Sequence, residues 1–370
     1  MLRLSRATVL SEMECLPDLQ RLFVELERPG GAEPGNGQPE QCVSYLELCG
    51  RAEVGDTLLV NTTAVDLDLG TGGWHYALAN LTRSSHDPYQ VLGPEGGHII
   101  KLRYTPLQFA VDAWESDRDT DDPEPTSLEG LPVVICPLHS HLAPAVVAAD
   151  ARVTEAKGRR PCIAYLMGDT AALPMAFSDQ VRALRCAGYQ MPTITWGQAF
   201  GGDFEAITLA SALIAAKHLL GADLAIVAQG PGNPGAGGPF GCAATSVADA
   251  VNSTAALRGR AIVAPRVSFA DPRPRHQGIS HHTLTALSIL TLARATVAMP
   301  TLDPVRKADL ADSMTALSVK HEMVSMDAAP LLCALRESPV PLRSMGRTLE
   351  DDPLFFLAPA AAGAYAASLV

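Results

Sequence analysis

The stretch LPVVICPLHSHLAPAVVAAD (131–150) decides the fold. An apolar run of strand length, VVICPL (133–138), breaks into His139-Ser140-His141 and then into a segment of helical composition. The same sequence of events recurs four times downstream. CIAYLM (162–167) runs into Gly168-Asp169-Thr170, and TITW (193–196) into Gly197-Gln198-Ala199-Phe200-Gly201-Gly202-Asp203. LAIVA (224–228) runs into Gln229-Gly230-Pro231-Gly232-Asn233. AIVAP (261–265) runs into Arg266, Ser268, Asp271, His276, Ser280, His281 and His282. Helical stretches fill 142–151, 174–188, 204–220, 243–257 and 282–293. Two further strands are expected at 295–299 and 322–326, with helices over 303–320 and 328–337. Strands alternating with helices make βαβ units. The expected class is therefore α/β, with a mainly parallel, doubly wound (Rossmann-like) sheet. In such a sheet all five polar strand ends share one edge, where α/β proteins bind ligands.

Upstream the pattern differs. ATVLSEM (7–13), RLFVELE (21–27), CVSYLELC (42–49), DTLLVNTTAV (56–65) and WHYALANL (74–81) are short and rich in β-formers. Residues 29–40 (PGGAEPGNGQPE) read as a loop, and Glu53-Val54-Gly55-Asp56 as the turn before a barrel strand. The expected division is a β-rich, barrel-like domain over 1–114, an acidic, proline-containing linker over 115–130, and the α/β domain over 131–370.

Hydrophobic residues make up 47% of the chain and charged residues 18%, the balance of an ordered globular protein. The formal charge is −12 with no offsetting basic block, which argues against a nucleic-acid partner. Eight cysteines without a C-x-x-C pair fit a reduced, cytoplasmic setting. The uncharged C-terminus PLFFLAPAAAGAYAASLV (353–370) is short, alanine-rich and contains Pro359. It is expected to be a buried helix or a subunit contact, in a homo-oligomer if one forms, and no membrane partner is expected.

The candidate chemistry sits on the five strand ends. His276, His281 and His282 are candidates for acid–base work, with Asp169 or Asp203 to orient them. His276 with His281 or His282 is also a plausible metal pair, whereas adjacent helical histidines point about 100° apart. His139 and His141 face the same way if the backbone is extended, which suits a divalent metal. Gln198, Gly201, Gly202, Glu205, Gln229, Gly230, Gly232, Asn233, Ser268 and Asp271 are candidate ligand contacts. The glycine loop from Gly230 to Gly238 can present backbone N–H groups, but no G-x-x-x-x-G-K-[ST] occurs. Asp203 and Glu205 also suit the cap and first turn of a helix. Cys242, in a glycine-rich loop before a helix, is a weaker nucleophile candidate. In the N-terminal part, Lys101, Arg103 and Tyr104 are the main polar candidates beside the 69–73 turn.

Five phrases resemble a bacterial family of unknown function, DUF3866. They are GDTLLVNTTAVDLDLGTGG (55–73), KLRYTPLQ (101–108), GQAFGGDFEAIT (197–208), AQGPGN (228–233) and RHQGISHHTLTAL (275–287). That resemblance spans roughly residues 50–290 and implies no catalytic role. The residues themselves imply an enzyme acting on a small polar or anionic metabolite by His/Asp acid–base or metal-assisted chemistry. The alternative is a non-catalytic metabolite sensor using the same edge.

Overall fold

The computed structural model describes residues 2–27, 38–70, 72–82, 97–116 and 125–370. Most of the expected 29–40 loop and part of the expected linker lie outside these residues. Two compact units pack separately, Met1–Asp112 and Ala113–Val370.

The first unit is a closed five-stranded barrel in the order β1-β2-β3-β5-β4. Its strands are β1 (Leu4–Cys15), β2 (Leu19–Leu26), β3 (Glu40–Tyr45), β4 (Thr57–Asn61) and β5 (His75–Asn80). Alternate residues Ala7 and Val9, Leu22 and Val24, and Leu58 and Val60 fill the interior, as period-two alternation dictates. Short helical turns α1 (Leu46–Cys49) and α2 (Thr63–Asp66) join strands. The Gly55 turn has φ +90°, and Asp56 accepts from Glu53 N and Asn80 Nδ2, fixing the entry to β4. A hairpin of β6 (Ile99–Lys101) and β7 (Phe109–Val111) follows, with Lys101 buried and Tyr104 exposed in its turn.

The second unit carries an eight-stranded, wholly parallel sheet. In chain order its strands are β8 (Pro132–Cys136), β9 (Ile163–Gly168), β10 (Thr193–Trp196), β11 (Phe204–Ala206), β12 (Leu224–Gln229) and β13 (Arg260–Val263). The small ribbon of β14 (Val267–Ser268) and β15 (Gly278–Ile279) precedes β16 (Thr296–Pro300) and β17 (Glu322–Met326). Across the sheet the order is β11-β10-β9-β12-β8-β13-β16-β17. The chain winds outward from β8 to β11, returns to insert β12 between β9 and β8, then crosses β8 to reach β13. That reversal is the position at which open α/β sheets form ligand crevices.

Both faces are covered, so the strands read as continuous apolar runs. Val134, Tyr165, Met167 and Ile226 face α3 (Leu142–Lys157), α4 (Asp179–Cys186), and the later α10 (Ala328–Glu337) and α11 (Pro353–Ala367). Val133, Ala164, Leu166 and Val227 face the opposite layer. That layer holds α5 (Leu209–His218), α6 (Val247–Ala256) and residues near α7 (His281–Thr285), α8 (Pro304–Asp309) and α9 (Ala311–Ser318). A hairpin of β18 (Arg343–Ser344) and β19 (Arg347–Thr348) precedes α11. The uncharged C-terminus is thus a buried helix, with Gly363 against the Ala145 carbonyl of α3. Among the described residues no helix is long and apolar enough to cross a membrane.

The helix expected over 204–220 loses its start to the sheet. Residues 204–206 form β11, and the helix begins only at Leu209, where Thr208 Oγ1 accepts from Ser211 N. Pairing of Phe204–Ala206 with Ile194–Trp196 outweighs the local helical composition.

Candidate functional site

The strongest polar concentration at the C-terminal edge follows β13. Here the chain forms the β14–β15 ribbon, a 3-10 turn over Pro274–His276, and α7. The side chains of the first helical residues lean past the helix N-terminus. His281 and His282 accordingly approach each other, with ring centroids 3.8 Å apart, and lie 5.4 and 5.5 Å from the His276 ring. The expected divergence of the two adjacent rings does not occur. One ligand atom from each of the three lies within 4.8 Å of the others. His276 Nδ1 is 2.8 Å from Ser280 Oγ. His282 Nε2 lies 3.2 Å from the Gly238 carbonyl, which can only accept, so the neutral ring keeps its lone pair on Nδ1. His281 Nε2 is buried without a partner.

Electrostatics hold these rings uncharged. Burial, then the Arg266 and Arg273 guanidinium groups, push His276 down to about 4. Burial is also the main cause of lowering at His281 and His282. The arginines are organised by Asp271, whose carboxylate is fully buried. It accepts from Arg266 Nη2 at 2.8 Å and from Arg273 Nε and Nη2 at 2.9 Å each, with Arg347 Nη2 at 3.8 Å. Burial would raise the Asp271 pKa, but these hydrogen bonds and charges outweigh it and keep the group ionised. Ser268 Oγ donates to Asp352 at 2.5 Å and accepts from Asp271 N. Ser268 and Asp271 therefore brace the arginine cluster, and their polar atoms are committed within it.

The glycine loop after β12 folds back on itself through a Gly235–Cys242 bridge. Gly230 is required by close approach, since a Cβ there would overlap the Ala172 carbonyl. Gly232 has φ +79°. Gln229 accepts from Thr170 Oγ1 and donates to Asn233, and Asn233 Nδ2 lies 3.5 Å from Cys242 Sγ. Through Gly238 this loop also reaches His282.

The remaining expected residues have partners of their own. Asp169 Oδ2 accepts from Gln198 N at 2.9 Å, and Gly197 is needed because a Cβ there would overlap that carboxylate. Asp203 is corrected outright: it lies at the N-terminal edge, bound to Thr193 N, Thr193 Oγ1 and Arg185. A crossover of seven residues, 197–203, carries the chain from the end of β10 back to the start of β11, so Asp203 returns to the opposite edge. It caps no helix. Glu205, equally, is a sheet residue holding Thr195 Oγ1 and Gly201 N, while Gly202 N donates to Thr195 Oγ1. Gly201, Gly202 and Glu205 thus shape the crossover.

The extended backbone assumed for a metal pair at His139 and His141 is not found. Both lie in a 3-10 turn, so their side chains diverge. His139 is committed to Tyr165 and the Gln229 carbonyl through Nδ1 and to Ser178 through Nε2. His141 packs edge-on against Phe355, with both ring nitrogens unpartnered. Burial, then Arg266, lowers it to about 3.

A family model described as a protein of unknown function (DUF3866) matches residues 41–363. The chain belongs to that family. No curated protein and no solved structure matches it. The DUF3866 match runs through the arginine cluster and into α11. Arg347 and Asp352 of that cluster escaped sequence reading, because they lie some 70 residues past the histidines in an unremarkable polar segment. Trp196 carries no sequence signal beyond a strand position, although its Nε1 is a buried donor without a partner among the described residues.

Proposed function

We propose that this DUF3866 chain is an enzyme acting on a small polar or anionic metabolite, with His276, His281 and His282 as ligands of a divalent metal. One observation carries the reading: three imidazoles gather their ligand atoms within 4.8 Å while their surroundings keep them neutral. Neutral imidazole is the ligand form. Nitrogens around a tetrahedral zinc stand about 3.3 Å apart, given Zn–N bonds of about 2.0–2.1 Å. Small side-chain rotations bridge the difference. Gly238 and Ser280 supply the outer hydrogen bonds that orient metal-binding histidines. A bound metal would polarise a carbonyl or phosphoryl oxygen. Arg266, Arg273 and Arg347 against Asp271 and Asp352 leave one surplus positive charge, which favours an anionic group nearby.

Catalysis is favoured over sensing by the depressed histidines, since functional sites concentrate such shifts. Eight free cysteines support a reducing, cytoplasmic setting. The test is turnover of a panel of small amides, esters and phosphate esters by the zinc- or cobalt-loaded chain. His281→Ala should lower turnover about 100-fold or more while leaving the melting temperature nearly unchanged. Turnover that survives both this substitution and chelation removes the reading.

A further inference from the structure

A cavity opens at the C-terminal ends of β8, β9, β10 and β12, roofed by the start of α6. Gln229 lines it and donates to Asn233 on its other side. Its walls include the aliphatic Ile135, Val227 and Val247, and its polar groups include Trp196, Ser246 and Asp249. The Trp196 indole is seated over Gly168, where a Cβ would come within 2.5 Å of Cζ2. Its Nε1–H is buried with no acceptor among the described residues, an uphill arrangement that a ligand oxygen relieves. Nearby, the Thr170 hydroxyl donates to Gln229 Oε1 and Gln229 Nε2 donates to Asn233. Asp249 is exposed at the cavity, and among the described residues no Lys, Arg or His lines it. A carboxylate ligand would therefore meet a like charge without a counter-ion. The volume is about 70 Å³. That is about half the roughly 150 Å³ that accommodates benzene, so a short alkyl group fits and a ring does not.

We infer that this cavity binds a short aliphatic amide. The carbonyl oxygen accepts from Trp196 Nε1, an amide N–H donates to Asp249, and the alkyl group lies against Ile135, Val227 and Val247. As a substrate subsite this rests on the enzymatic reading above, but binding itself needs no metal. The experiment is titration of the full chain, with chelator present, by acetamide and separately by acetate. Calorimetry and tryptophan fluorescence report binding. Acetamide should bind saturably and acetate at least about tenfold more weakly, a difference of about 1.4 kcal/mol. Trp196→Phe should weaken acetamide about tenfold. Asp249→Asn, at an exposed position, should admit acetate. The inference fails if acetamide does not saturate, if acetate binds equally well, or if both variants bind as the wild type does. Because no turnover is read, that failure is separate from failure of the metal centre.

Discussion

Asp271 and Asp203 show how two acids with similar sequence settings come to differ. Asp271 is fully buried among Arg266, Arg273 and Arg347, whereas the Asp203 side chain is 41% exposed beside Arg185. Removing one partner of a buried ion network leaves uncompensated charge, at a cost of about 3–5 kcal/mol. Asp271→Asn should lose stability on that scale in urea unfolding. Asp203→Asn should lose about 1 kcal/mol or less from its exposed ion pair, plus its backbone hydrogen bond. His141 should behave in the reverse manner. Its ring nitrogens find no hydrogen-bond partner among the described residues, so His141→Leu should hold or raise stability at neutral pH and lessen the loss in acid. At this scale the three histidines and Asp271 are legible in the sequence as polar groups following a strand. Their partners are not legible there, since Arg347 and Asp352 join only through the packing of the C-terminal hairpin and α11.

The strand ends were legible because a strand buried on both faces must be apolar, and its polar continuation marks where it leaves the sheet. β8, β9, β10, β12 and β13 follow from that rule, and the barrel strands from short runs of β-formers, with Glu53–Asp56 as the turn before β4. β11 did not. Three residues, one of them glutamate, carry too little pattern to outweigh the helix behind them, and only pairing with β10 makes them a strand. Because these residues pair as a strand, Asp203 lies at the N-terminal edge of the sheet. The crossover depends on its glycines, most sharply at Gly197, with φ +70° and Asp169 against its α-carbon. Gly197→Ala should destabilise the chain by about 1–3 kcal/mol and displace Asp169, visible as altered amide exchange at Gln198. On the opposite face, Gly363→Val should separate α11 from α3, with a loss of several kcal/mol or failure to accumulate folded protein.

Across the molecule, several buried histidines are uncharged at neutral pH: His139 and His276 are lowered to about 4, His141 to about 3, and His321 is also lowered, in each case chiefly by burial. The unfolded chain binds protons near pH 6.5, so between that value and about 4 it takes up more protons than the folded chain. Stability should therefore fall as pH drops through this window and be largely constant just above it. Thermal melts from pH 8 to pH 4 check the slope, and a flat profile would mean these rings are solvated. The same depression means protons compete weakly for the metal ligands at neutrality, so metal affinity should persist well below pH 6.5. The most direct measurement is metal content of the natively purified chain after equilibration with zinc and gel filtration. About one ion per chain is expected, falling to none in a His276→Ala, His281→Ala double variant that retains its melting temperature. A wild-type chain that emerges free of metal, or a double variant that retains as much, would contradict the three-histidine centre.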